Sequence, residues 1–189
     1  ENITVKNFKS FSCKGWSDGI DVMSCQQLDI ENIFMRNSDD CLALYNHRWN
    51  WWGGTNHVNV RKAVLWADGN PEAEVGEDIE NLIFRDIDIL EQDEDDYPYQ
   101  GCMAVVCGDK NMARNILFED IRIESIQEGM IFNIRVHFNP KYDKAPGRGI
   151  DGITFRNITY QGIGENKSVI FGYDNDRKVR NVTFDNIVI

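Results

Sequence analysis

A nine-residue pattern recurs seven times along this chain, and it constrains the fold more than any other feature. The pattern is a polar residue (often Asn), apolar, any, apolar, any, Asn or Asp, apolar, any, apolar. Clear copies are Asn81-Leu-Ile-Phe-Arg-Asp-Ile-Asp-Ile, Asn115-Ile-Leu-Phe-Glu-Asp-Ile-Arg-Ile and Asn181-Val-Thr-Phe-Asp-Asn-Ile-Val-Ile, and others begin at Asn2, Gln27, His57 and Gly152. Successive copies start 25, 30, 24, 34, 37 and 29 residues apart. A period of this size marks units that bury their apolar face only by stacking on neighbours.

Within each copy the apolar residues alternate, as they do in a strand with one buried face. They then slip by one at the Asn or Asp, which predicts a bend and a second strand with its apolar side still inward. Further apolar runs lie between copies, at 20–23, 41–45, 73–75, 102–107, 130–136 and 168–171, and no stretch keeps a helical period. The expectation is an all-β chain, a right-handed single-stranded parallel β-helix. It forms one continuous solenoid over residues 1–189, of about six to seven turns stacked about 4.8 Å apart. The repeated Asn predicts a side-chain ladder in the corner. The Asn-x-Ser/Thr sequences at Asn2, Asn157, Asn166 and Asn181 are assigned to that ladder or to chance rather than to glycosylation. Glu1 opens inside one copy and Ile189 closes another, so the expectation is an incomplete fragment lacking end caps.

The net charge of −11 argues against nucleic acid or an anionic membrane surface as a partner. No run of eighteen apolar residues supplies a transmembrane helix. The five cysteines show no metal-ligand spacing. Most are expected to be buried small hydrophobes; a bridge between Cys102 and Cys107 is disfavoured, and one between Cys13 and Cys25 stays open.

Two segments, Trp16-Ser17-Asp18-Gly19-Ile20-Asp21 and Asn37-Ser38-Asp39-Asp40-Cys41, each lead into an apolar strand, with Asp18 and Asp39 21 residues apart. In a stacked chain that offset is close to one turn. Asp18 is then expected beside Asp39 and Asp40 at one sheet edge, where like charges repel unless they bind a cation or perform acid–base chemistry. The competing explanation is that each Ser-Asp merely caps a turn into its strand. That account suits one Ser-Asp well and the Asp39-Asp40 doublet poorly.

These segments resemble the Asn-Thr-Asp-Gly-x-Asp and Asp-Asp-Cys motifs of glycoside hydrolase family 28, the polygalacturonases. They are also similar to the Ser-Asp-Gly-Ile-Pro and Asn-Asp-Asp motifs of family 49, the dextranases and isopullulanases. The resemblance covers roughly residues 15–160 and implies an inverting polysaccharide hydrolase, secreted or periplasmic, that needs neither cofactor nor metal. It implies Asp39 as the general acid, with Asp18 and Asp40 activating water. Family 28 carries Gly-His-Gly on the next turn, where this chain has Ala67-Asp68-Gly69-Asn70-Pro71-Glu72 without a histidine. The Asn70-Pro71 pair is closer to the Asn-Asp-Pro of family 49. Of the family 28 Arg-Ile-Lys only Arg135 has a counterpart, so the resemblance leaves two substrate classes, a pectin- or polygalacturonan-like chain and a neutral glucan.

The stretch 45–54 follows the Asp-Asp strand and holds Trp49, Trp51 and Trp52 for stacking on sugar faces, with His47 and Arg48 for hydroxyls. The alternative is a loop packed on the wall of the fold. Asp68 is expected to extend the acidic groove. Arg135 and His137 share one strand face, either towards the groove or covering the surface. Residues 91–96 form an acidic run expected in a long solvated loop, with a calcium site as the alternative. Two rival functions stand beside the hydrolase: a β-helix polysaccharide lyase using calcium and a basic residue, and a non-catalytic glycan-binding or structural β-helix. The partner is a polysaccharide or oligosaccharide; the oligomeric state stays open.

Overall fold

The computed structural model describes residues 2–48, 50–66, 71–72, 77–93, 101–141, 143–163 and 167–189. The first passage of chain contains β1 (Asn2–Lys6), β2 (Lys9–Phe11) and β3 (Ile20–Met23). The next runs through β4 (Gln27–Arg36), β5 (Leu42–Tyr45), β6 (His47–Arg48) and β7 (Trp51–Trp52). Then come β8 (Thr55–Trp66), β9 (Pro71–Glu72), β10 (Asp78–Asp93) and β11 (Met103–Cys107). β12 (Met112–Ile123), β13 (Ile126–Glu128) and β14 (Phe132–Val136) follow, and β15 (Gly149–Tyr160), β16 (Val169–Phe171) and β17 (Val179–Val188) are last. Among the described residues the fold is all-β.

Each copy of the nine-residue pattern lies on a strand of one long sheet, ordered β1-β4-β8-β10-β12-β15-β17 and parallel throughout. Parallel neighbours need a crossover, and the chain makes it through two three-stranded parallel sheets, β3-β5-β9 and β11-β14-β16. The register puts equivalent residues of successive copies side by side. Ile30, Val60, Phe84, Phe118, Phe155 and Phe184 therefore form one column. Its four phenylalanines stack with centroids 4.9, 5.3 and 5.1 Å apart. Phe132 of β14 packs edge-on against Phe155 at 4.6 Å, tying the crossover sheet to the long one.

The pattern predicted one bend per copy, and the structure has two. Left-handed backbone occurs in pairs five residues apart: His57 and Lys62, Asn81 and Asp86, Asn115 and Asp120, Gly152 and Asn157, Asn181 and Asn186. Asn, Asp and Gly enter this region at least cost, which explains both polar positions of the pattern. The expected ladder is present at both bends. Asn32 Nδ2 donates to Asn7 Oδ1 (2.7 Å) and Asn186 to Asn157 (2.9 Å), while at the other bend Asn115 donates to Asn81 (3.2 Å). Asn157 and Asn181 belong to these ladders, Asn157 donating to Asp120 and Asn181 to Asp151.

One outward-facing row of the long sheet, Lys6, Glu31, Arg61, Arg85, Glu119, Arg156 and Asp185, alternates in charge except where Arg61 meets Arg85. Glu31 meets Lys6 (3.3 Å), Arg61 (2.9 Å) and Lys62 (2.9 Å), and Arg156 joins Glu119 (3.3 Å) to Asp185 (2.9 Å). The ammonium groups of Lys62 and Lys6 lower the Glu31 pKa to about 2. A carboxyl whose folded pKa lies below its unfolded value stabilises the fold above the unfolded pKa and loses that effect as pH falls through the folded one. Glu31→Gln is therefore expected to flatten the dependence of unfolding free energy on pH between about 4.5 and 2, measured by denaturant titration at several pH values.

Two sequence expectations need correction or completion. Glu91, Gln92 and Asp93 are not in a loop: they end β10, where Gln92 is fully buried and pairs with Ile126 of β13. The rest of the acidic run, and the expected strand at 73–75, lie outside the described residues. None of the five cysteines is in a disulfide; Cys13 is exposed and the other four are buried. Burial pushes the Cys107 thiol up to about 12, which suits a packing residue rather than a nucleophile.

Candidate functional site

The carboxylate segments meet where β3 begins to pair with β5. Ile20 lies opposite Leu42 and Val22 opposite Leu44. The ladder continues before the strands: Gly19 N–H donates to the Asp40 carbonyl (2.7 Å) and Ile20 N–H to the Cys41 carbonyl (3.0 Å). The register thus sets Asp18 across from Asp40, with Asp39 one residue earlier. The sequence offset of 21 becomes a structural offset of 22. Asp18 and Asp39 are half-buried and Asp40 is buried.

Short polar side chains hold the two segments together. Ser38 N–H donates to Ser12 Oγ (3.3 Å), Ser12 Oγ to the Ser17 carbonyl (3.3 Å), and Ser17 Oγ and Ser38 Oγ both to the Lys14 carbonyl. The buried Asn37 donates through Nδ2 to Ser10 Oγ and to the Asp18 carbonyl, both at 3.0 Å. The serines of the two Ser-Asp pairs are therefore structural, and they fix the loop that carries Asp18 against the strand end that carries Asp39 and Asp40. Asn37 has the same positioning role; its signal in the sequence was only its place before Ser38.

Gly19 is required by this close approach. A Cβ there would lie 2.3 Å from the Cys41 carbonyl oxygen and 2.8 Å from Met35 Sδ. The backbone oxygen belongs to the ladder and cannot move away without breaking it. Gly19→Ala is expected to destabilise the protein by about 1–3 kcal/mol, seen as a lower denaturation midpoint, with Gly15→Ala as an unobstructed control.

The tryptophan stretch is a hairpin rather than an irregular loop: β6 pairs antiparallel with β7, His47 opposite Trp52 and Arg48 opposite Trp51. Trp51 and Trp52 are 70% and 65% exposed, so they do not pack on the wall of the fold. The hairpin leaves the C-terminal end of β5, whereas the carboxylates sit before its N-terminal end, with Asp40 about 17 Å from Tyr45 at 3.3 Å per residue. Trp49 and Asp68 lie outside the described residues.

Arg135 is buried on β14, with its Nε donating to Asn133 Oδ1 (2.6 Å), and it does not cover the surface. His137 follows it half-buried, and burial together with the Arg135 charge lowers its pKa. From β5 to β14 the order passes through β9, which lies against β11. Three strand steps of about 4.8 Å put Arg135 about 14 Å from the β5 strand. The structure thus brings together Asp18, Asp39 and Asp40, and leaves Arg135 and His137 apart from them.

The backbone register places Asp18, Asp39 and Asp40 at one edge of the β3–β5 pair. Among the described residues no three His, Cys, Asp or Glu side chains are grouped as metal ligands are, these carboxylates included. No family model, no curated protein and no solved structure matches the chain.

Proposed function

We propose that the chain is one right-handed, single-stranded parallel β-helix over residues 1–189, acting as an inverting polysaccharide glycoside hydrolase that resembles families 28 and 49. The solenoid is supported by the parallel pairing of every long strand with the next copy, and of the crossover strands with one another. The function is carried by one observation: the β3–β5 register that sets Asp18 across from Asp40 with Asp39 adjacent.

In this reading Asp39 protonates the glycosidic oxygen as the bond to the anomeric carbon breaks. Asp18 or Asp40 takes a proton from a water attacking that carbon from the opposite face, which inverts its configuration. Such a pair needs about 6.5–9.5 Å between carboxyl groups to admit the water. One strand step combined with one residue of stagger separates the backbones of Asp18 and Asp39 by about 6 Å. Trp49, Trp51, Trp52, His47, Arg48 and Asp68 are proposed as substrate contacts beyond the reacting bond, and a secreted or periplasmic location belongs to the same reading.

The test is incubation of the protein with polygalacturonate, dextran and related glucans. The expected result is a new reducing end whose anomeric configuration, read by NMR, is opposite to that of the cleaved linkage. Retained configuration would overturn the inverting mechanism, and an unsaturated product absorbing in the ultraviolet would identify a lyase instead.

A further inference from the structure

We propose that the cleft at the foot of the tryptophan hairpin binds the glycan chain at a distance from the carboxylate edge, together with the hairpin tryptophans, and that it takes a neutral oligosaccharide. The inference rests on the reading that this protein handles polysaccharide, but not on hydrolysis.

An open cleft of about 410 Å³ lies where the crossover strands turn into the long sheet, lined by Gln26, Gly54, Asn56, Glu77, Asp78, Glu80 and Arg148. That size falls within the ordinary range of small-ligand sites. The hairpin is anchored to its walls. Gly53 N–H donates to the Asn46 carbonyl (2.9 Å), Asn46 Nδ2 to the Glu77 carbonyl (3.1 Å), and Gln26 Nε2 to the Gly54 carbonyl. Trp52 stands two residues from Gly54. Adjacent residues of a strand point to opposite sides, so the ribbon offers an exposed indole on each of its faces.

The polar groups of the cleft are held in place. Asn56 Nδ2 donates to Glu80 Oε1 (3.1 Å) and Asn56 Oδ1 accepts from Asn81 Nδ2 (2.9 Å). Arg148 donates through Nε to the Lys110 carbonyl (2.6 Å) and pairs with Asp78, which also pairs with Arg114. Fixed polar groups spare a ligand the entropy of ordering them.

A pyranose ring has an apolar C–H face and a rim of hydroxyls; the rim suits the carboxylates of the cleft, and the C–H face suits an exposed indole of the hairpin that leads into Gly54. Glu77, Asp78 and Glu80 are acceptors for hydroxyls. The one cation among the lining residues, Arg148, is already paired with Asp78. A uronate would bring its own carboxylate against three others in a protein of net charge −11. A neutral sugar meets no such repulsion.

The test is calorimetric titration of dextran oligosaccharides and of oligogalacturonate into Asp39→Asn protein, with and without the paired change Trp51→Ala/Trp52→Ala. Both indoles are exposed, so the paired variant should keep the parent's thermal midpoint. Dextran oligosaccharides are expected to bind more tightly than oligogalacturonate, with a loss of about tenfold or more in the tryptophan variant. A variant with Glu80→Gln tests the cleft floor and should lose affinity for the same ligand. Unchanged binding in the tryptophan and Glu80 variants, preference for oligogalacturonate, or no binding by the parent each overturns the proposal. Wild-type protein that binds dextran oligosaccharides through these residues but hydrolyses no glycan keeps this site and removes the hydrolase.

Discussion

Asp39→Asn is expected to lower turnover of the cleaved glycan by about 10²–10⁴-fold, the usual contribution of a positioned general acid, while binding is kept. The substitution is chosen because it preserves geometry. Asp39 Oδ1 accepts the Asp40 backbone N–H at 3.0 Å, and an asparagine retains an oxygen able to do so. What it removes is the proton for the leaving oxygen. Asp39→Ala removes the hydrogen bond as well and should add a drop in stability. Unchanged turnover in the asparagine variant, with a normal denaturation midpoint, would sink the assignment.

Phe155→Ala is expected to cost about 3–5 kcal/mol of folding free energy, the range for deleting a fully buried aromatic ring. Phe155 has no exposed surface. It sits between Phe118 and Phe184, stacked on both, and takes the edge of Phe132 at 4.6 Å. The vacated space would border two sheets at once, and neither can close on it without shifting a parallel ladder. Phe155→Leu keeps part of the volume and should cost less. Denaturant melts of both variants check the order, and a loss below about 1 kcal/mol for the alanine variant would show that the column relaxes.

Much of the strand placement was legible, because alternation reports directly which residues face inward. Leu28, Ile30, Ile33 and Met35 are the buried positions of β4, and the change of parity between Ile30 and Ile33 occurs at left-handed Asn32. The second bend changes parity too, between buried Ile79 and buried Leu82 at left-handed Asn81, but it was hidden because it falls at the first residue of the copy, outside the alternation that the pattern tracks. Meeting of the two acidic segments was also legible, but their register was off by one. Matching Ser-Asp to Ser-Asp aligns like residues, whereas the backbone aligns Gly19 N–H with the Asp40 carbonyl. The ladder decides the pairing, and the space left by the missing Cβ of Gly19 allows it. Gln92 was misplaced because a polar residue in an acidic run gives no hint of burial. The separation of Arg135 from the aspartates was invisible because it depends on how many strands intervene, which no local pattern records.

The two columns of left-handed residues act as a gauge of fixed length. In five of the seven copies they bracket a span of five residues, while the copies themselves vary from 24 to 37 residues from start to start. All of that variation is absorbed outside the gauge, in the crossover segments and the loops that carry Asp18 and the tryptophan hairpin. A segment inserted or removed there leaves the cross-section of the long sheet untouched, whereas a single residue added between the columns would throw every later side chain of that strand onto the wrong face. The protein thus separates a rigid rack from exchangeable attachments, and the acidic edge and the hairpin both belong to the attachments.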